Sequence, residues 1–195
     1  MAHPPSINLR NLVILVADPS AYVRKLVIQI LRGFGANKLL EAHDVEVVLQ
    51  TLMTQKIDLL LCDLNLPPAG GLQLIQGIRM NATNENRAMP ILVMASDTPE
   101  VTIKKARDVG ANMVIAKPIS PSALFDRLSW IAFHPRQFIE TANYFGPDRR
   151  IRIEGFPNGV GRRAGDSATV GAEVGPAMSQ DDVDDLFNAA RAGKS

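Results

Sequence analysis

Two aspartates and a lysine, Asp18, Asp63 and Lys117, each close a short apolar run. NLVILVA (11–17) runs into Asp18, LLLC (59–62) into Asp63, and MVIA (113–116) into Lys117. Runs of this length, bounded by turn residues, suit strands buried on both faces of a parallel sheet. The carboxyl ends of such strands converge on one edge, where ligands bind. Two carboxylates and an ammonium gathered there make a small polar pocket. A carboxylate buried at a strand end needs a partner, usually a cation. Magnesium takes oxygen ligands, keeps several waters and needs only one or two carboxylates. A bound phosphoryl group would meet Lys117 as a point charge. A carboxylate can also attack phosphorus itself and form an aspartyl-phosphate. The bland alternative makes Asp63 a loop residue capping the turn that contains Pro67, Pro68, Gly70 and Gly71.

The elements that must position these groups alternate along the chain. Residues 22–35 place Val23, Leu26, Val27, Ile30 and Leu31 at helical spacing, with Gly33 and Gly35 as stop signals. A short strand, 38–42, and a helix, 44–55, follow; Val45, Val48, Leu49 and Leu52 share one face of that helix. After the central run come a helix at 71–80, a polar loop at 81–88, a strand at 90–95, a helix at 101–110 and the strand at 113–116. The last helix of the series is 119–133, with Ser120 as its cap and Pro121 in its first turn. Five strand–helix units in about 130 residues predict one five-stranded parallel sheet, doubly wound, with right-handed crossovers.

Composition narrows the function classes. The chain has 195 residues, 46% of them hydrophobic but only 5% aromatic, so its core must be aliphatic. A net charge of +1 excludes an obvious whole-chain nucleic-acid binder. The one cysteine, Cys62, lies inside the central run and reads as a buried small hydrophobe rather than a redox thiol. His3, His43 and His134 show no metal-ligand spacing. No signal peptide and no apolar run of about 18 residues is evident, so a cytoplasmic protein is expected.

Taken together, LVAD (15–18), LCDLNLP (61–67), Gly70-Gly71, MPILVMAS (89–96), VGA (109–111) and AKP (116–118) resemble the receiver domain of two-component response regulators. The layout is similar to that of the chemotaxis regulator CheY, and the resemblance covers residues 11–133. It implies a flavodoxin- or CheY-like fold and a non-enzymatic phosphoprotein. It makes Asp63 the phosphoacceptor and Lys117 the lysine that contacts the phosphoryl group. Magnesium ligands would be Asp18, Asp63 and the main-chain carbonyl of Asn65, and the Lys117–Pro118 bond would be cis. A histidine kinase or phosphotransfer protein would be the donor. The departures are specific. Pro19 stands where the family has a second acid, Ala95 where it has a hydroxyl residue, with Ser96 one place later, and Val114 where it has an aromatic switch. Weak magnesium binding follows as an expectation.

From Pro135 the composition shifts. Residues 135–178 read as a Gly/Arg-rich, largely irregular extension and linker after a receiver domain at 11–134 and a loose lead-in at 1–10. Arg149, Arg150, Arg152, Arg162 and Arg163 suit phosphates and planar bases, so a cyclic dinucleotide such as cyclic di-GMP is a conceivable ligand. A flexible arm is the plainer reading. Residues 179–192 are expected to form a short amphipathic helix, with Ser179 and Asp182 as a capping box and Val183, Leu186, Phe187 and Ala190 as one apolar stripe. SQDDVDDLF also resembles the amino-terminal segment of the flagellar switch protein FliM, which binds CheY-type receivers. Docking of 179–191 on a receiver is expected, with Lys104, Lys105 and Arg107 as the complementary charges.

Three functions compete. The first is a response regulator phosphorylated on Asp63, acting through protein contacts without a DNA-binding domain. The second is a degenerate, unphosphorylated receiver that serves as a binding protein. The third is a phosphatase resembling the haloacid-dehalogenase-like hydrolases, whose motif needs a second Asp and then a Thr where Asn65 and Pro67 stand. That mismatch ranks the enzyme last.

Overall fold

A computed structural model describes residues 7–149. The five strands expected from the sequence are β1 (Val13–Ala17), β2 (Lys38–Ala42), β3 (Leu59–Asp63), β4 (Ile91–Ala95) and β5 (Met113–Ala116). They form one parallel sheet in the order β2-β1-β3-β4-β5. The helices are α1 (Ala21–Gly33), α2 (Val45–Thr54), α3 (Gly71–Met80), α4 (Glu100–Asp108) and α5 (Pro121–Phe133).

Strand side chains alternate faces, and the core divides accordingly. Leu15, Ala17, Leu60, Cys62 and Val93 pack with Val48, Leu52, Leu74, Ile75, Ile78 and Ala106 of α2, α3 and α4. Ile14, Val16, Leu61, Leu92 and Met94 pack with Val27, Leu31, Leu124 and Leu128 of α1 and α5. Both faces of β3 and β4 are therefore covered, which is why these two strands read as unbroken apolar runs. Three helix starts are capped by their own side chains: Ser20, Asp44 and Ser120 accept from the amides of Val23, Val47 and Ala123. Each such cap stabilises by about 1 kcal/mol.

Three features differ from the expectation. The lead-in is not loose throughout, because Leu9 is buried in the α1/α5-side core. The polar loop at 81–88 is anchored by Asn86. Its side-chain oxygen accepts from the Ile57 amide at 2.7 Å, and its nitrogen donates to the carbonyls of Leu52 and Gln55 at 2.9 and 3.1 Å. The extension also begins with structure. β6 (Phe138–Thr141) and β7 (Tyr144–Pro147) pair as an antiparallel hairpin that belongs to the same compact unit as the sheet, Met1–Pro147. The remainder of the extension, with Arg150, Arg152, Arg162 and Arg163, and the 179–192 segment lie outside the described residues.

Candidate functional site

Parallel register brings the three charged residues together. Ala17 pairs with Cys62, so β1 and β3 end level, and Asp18 and Asp63 follow side by side. The Asp18 amide donates to the Ala42 carbonyl, and the Lys117 amide to the Ala95 carbonyl, so both residues continue the ladder past their strands. Lys117–Pro118 is cis, as the resemblance implied.

Lys117 Nζ donates to Asp18 Oδ2 at 2.5 Å and to Asp63 Oδ1 at 2.6 Å. The remaining carboxylate oxygens are held by backbone: Asp18 Oδ1 accepts from the Ser20 amide at 2.8 Å, and Asp63 Oδ2 from the Asn65 amide at 3.0 Å. Both aspartate side chains are buried, 1% and 6% exposed, whereas Lys117 keeps 18% exposure. Each carboxylate oxygen thus has one donor and lone-pair capacity left over. Burial alone would lower the Lys117 pKa, but the hydrogen bonds and charges of Asp18 and Asp63 outweigh it and raise the value above the ordinary 10.5. A raised lysine contributes stability that is complete below its unfolded value and disappears as pH climbs through the folded one. The Lys117 contribution therefore persists across neutral pH and is lost only in alkali.

Of two neighbours, Arg24 had no signal in the sequence, and Gly71 was visible there only as part of the Gly70-Gly71 turn. Arg24, one turn into α1, donates from Nη1 to the carbonyls of Asp18 and Pro19 at 2.8 and 3.3 Å, and from Nε to Glu41 of β2 at 2.9 Å. It fixes the backbone on which Asp18 is mounted. Gly71 opens α3 directly behind Asp63; a Cβ there would lie 2.1 Å from the Asp63 carbonyl oxygen. Gly71→Ala is expected to displace the β3–α3 loop and to cost about 1–3 kcal/mol, the usual range for overpacking. Urea unfolding checks this, and an unchanged midpoint would contradict it.

The departures are placed as follows. Pro19 is exposed and supplies no oxygen-bearing side chain. Ala95 is fully buried at the end of β4, and Ser96 beyond it is exposed. Val114 pairs with Val93 and is half-buried. Cys62 is fully buried, and burial followed by the charges of Asp63 and Asp18 pushes its thiol up to about 12. It stays protonated at neutral pH and fills core space. Lys104 and Lys105 on α4 are exposed, whereas Arg107 is half-buried.

Two buried carboxylates with unused lone pairs fit a hard cation that brings most of its own waters. Among the described residues no cluster of three or more Asp, Glu, His or Cys side chains is assembled for a metal. The site can therefore hold magnesium through few protein ligands, in competition with Lys117 for the same two carboxylates.

Residues 14–129 match the response regulator receiver domain. Chemotaxis protein CheY-3 of Vibrio cholerae is 30% identical over 122 residues, covering 63% of this chain and 92% of that protein. Sensory/regulatory protein RpfC of Xanthomonas campestris is 28% identical over 135 residues, which are 69% of this chain but only 18% of RpfC. The receiver domain of the Pseudomonas aeruginosa sensor histidine kinase PA1611, with a magnesium ion coordinated in its active-site cleft, superposes at a TM-score of 0.55. It is 22% identical, over 62% of this chain and 98% of that one, which establishes the fold alone. This chain belongs to the response regulator receiver family. It therefore falls within two-component signalling, among relatives with chemotaxis names. Among the described residues no helix is long and apolar enough to cross a membrane.

Proposed function

We propose that this protein is a cytoplasmic response regulator phosphorylated on Asp63, which signals through protein contacts rather than as an enzyme or a DNA-binding factor. The observation that supports this best is the Lys117 ammonium bridging Asp18 and Asp63 at the carboxyl edge of the central strands. The donor is a phosphohistidine on a kinase or phosphotransfer protein. One Asp63 oxygen attacks phosphorus, the P–N bond breaks, and its electron pair leaves with the imidazole, which takes up a proton. Lys117 stays close to the growing negative charge and neutralises part of it, which a preorganised cation does well in a water-poor site. Magnesium, held by Asp18, Asp63 and the Asn65 carbonyl, would supply further charge neutralisation on the phosphoryl oxygens. Asp18, braced by Arg24, orients that edge of the pocket.

The experiment is to incubate the full chain with a small-molecule phosphodonor and follow its intact mass, with and without magnesium. Uptake of one phosphoryl group is expected. Its absence under all conditions would make the protein a receiver-shaped binding module.

Magnesium affinity is expected to be low, because Pro19 removes one acid from the family's set. Pro19→Asp should tighten magnesium binding by about ten-fold, equivalent to 1.4 kcal/mol from one added charged ligand. Titration by calorimetry checks this. Equal affinities in the two proteins would show that position 19 does not face the metal.

A further inference from the structure

Among α1–α5, α4 buries the fewest residues, Ala106 alone. Its first turn starts at Pro99 with no side-chain cap. An open groove runs between α4 and the start of α3, lined by Leu64, Asn65 and Gln73 on one side and Thr102 and Lys105 on the other. Leu64 and Asn65 directly follow Asp63, so the loosely held part of α4 lies beside the phosphoacceptor loop.

The carboxyl-terminal end is held quite differently. α4 runs into Gly110, which has φ +98° and no room for a side chain. A Cβ there would lie 2.9 Å from Arg79 Cγ and 3.1 Å from the Phe145 carbonyl oxygen. A Cβ on Gly146 would lie 2.9 Å from the Gly110 Cα, so hairpin and turn meet backbone to backbone. Arg79, nearly fully buried at the end of α3, donates from Nε to the Gly110 carbonyl at 3.0 Å and from Nη2 to Asn112 Oδ1 at 3.2 Å. Its Nη1 donates to the Arg87 carbonyl, and its guanidinium lies 5.1 Å from the centre of the Phe138 ring. Arg87 answers by donating from Nε to the Arg79 carbonyl at 2.6 Å, stacking 3.6 Å from the Phe145 ring centre and pairing with Glu140 at 2.7 Å. Two arginines and two phenylalanines thus lock β6 and β7 onto the turn that ends α4.

We propose that the β6–β7 hairpin and Arg79 form a clamp on the carboxyl-terminal end of α4, making Gly110 a pivot and leaving the end of the helix beside Asp63 as the one that moves. Local opening follows local contact density, and a helix anchored at one end opens as a unit from the other. The hairpin then sets how far α4 can leave the sheet, so a segment outside the five-unit fold controls a helix that borders the loop after Asp63. The clamp concerns α4 alone, and its test does not depend on whether Asp63 accepts a phosphoryl group.

Amide exchange on the full chain, followed by mass spectrometry, tests it. In the Phe138→Ala, Phe145→Ala double variant, amides of 103–112 are expected to exchange about ten-fold faster than in wild type, the signature of a lowered local opening free energy. Val13–Ala17 and Leu59–Asp63 should keep their protection. Glu140→Ala, at an exposed position that cannot unfold the domain, should give a smaller rise in the same 103–112 amides. Unchanged exchange in 103–112, whether or not the hairpin itself opens, overturns the clamp. An equal rise in α4 and in β1 and β3 overturns it too, because the hairpin would then be a general stabiliser.

Discussion

Lys117→Ala is expected to lower both the stability of the domain and its phosphoryl uptake strongly. Asp18 and Asp63 are almost fully buried, and each gives one carboxylate oxygen to the same ammonium. Removing that ammonium leaves two buried negative charges with only the Ser20 and Asn65 amides as donors. Breaking a buried ion pair from one side costs about 3 kcal/mol or more, because the partner charge stays behind without compensation. Uptake should fall by about a hundred-fold or more, the scale seen when a charge-stabilising donor is lost. Urea unfolding of Lys117→Ala, Asp63→Asn and the double variant separates the contributions. The double variant should recover part of the loss, because the asparagine amide that replaces the Asp63 carboxylate carries no charge to strand. If Lys117→Ala unfolds within about 0.5 kcal/mol of wild type, a difference typical of a surface change, the bridge contributes nothing to the fold.

The sheet was legible because its signals are local. Unbroken apolar runs marked β3 and β4, and Ser120 stood where a cap belongs, whereas the caps at Ser20 and Asp44 emerge only from the structure. Repetition of the strand–helix unit fixed the architecture. The convergence of Asp18, Asp63 and Lys117 needed only the rule that strands in such a sheet end on one edge, and the observed bridge bears it out.

What the sequence concealed depends on partners far away in the chain. Arg79 follows the apolar Leu74, Ile75 and Ile78 in α3, and a long cation at the end of a helix reads as solvated. It is buried because the Gly110 carbonyl, Asn112 and the Phe138 ring converge on it from three later segments. Burial also lowers its pKa to about 10, still high enough to keep it charged at neutral pH. The hairpin was hidden for the same reason. Its strands are four residues each, too short for a period to show, and arginines and glycines further on dominate the composition. The one available signal was the trio Phe138, Tyr144 and Phe145 in a chain poor in aromatics. Arg24 was concealed too, since nothing in 22–35 tells which cation turns back toward the β1–α1 loop.

The central claim is that Asp63 carries the phosphoryl group. Asp63 is the sole acid at the end of the central strand, and Lys117 lies 2.6 Å from one of its oxygens. Asp18 is held by the same lysine, and its backbone carbonyl is tied to Arg24, which suits a supporting group better than a nucleophile. Replacing Asp63 by asparagine keeps the shape and removes the nucleophilic charge. The most direct measurement is phosphoryl incorporation from a labelled small-molecule donor into wild type and Asp63→Asn, with the labelled peptide identified by mass spectrometry. The account predicts one label in wild type, located on Asp63, and none in the variant. Label retained by Asp63→Asn, or mapped to Asp18 in wild type, would contradict it.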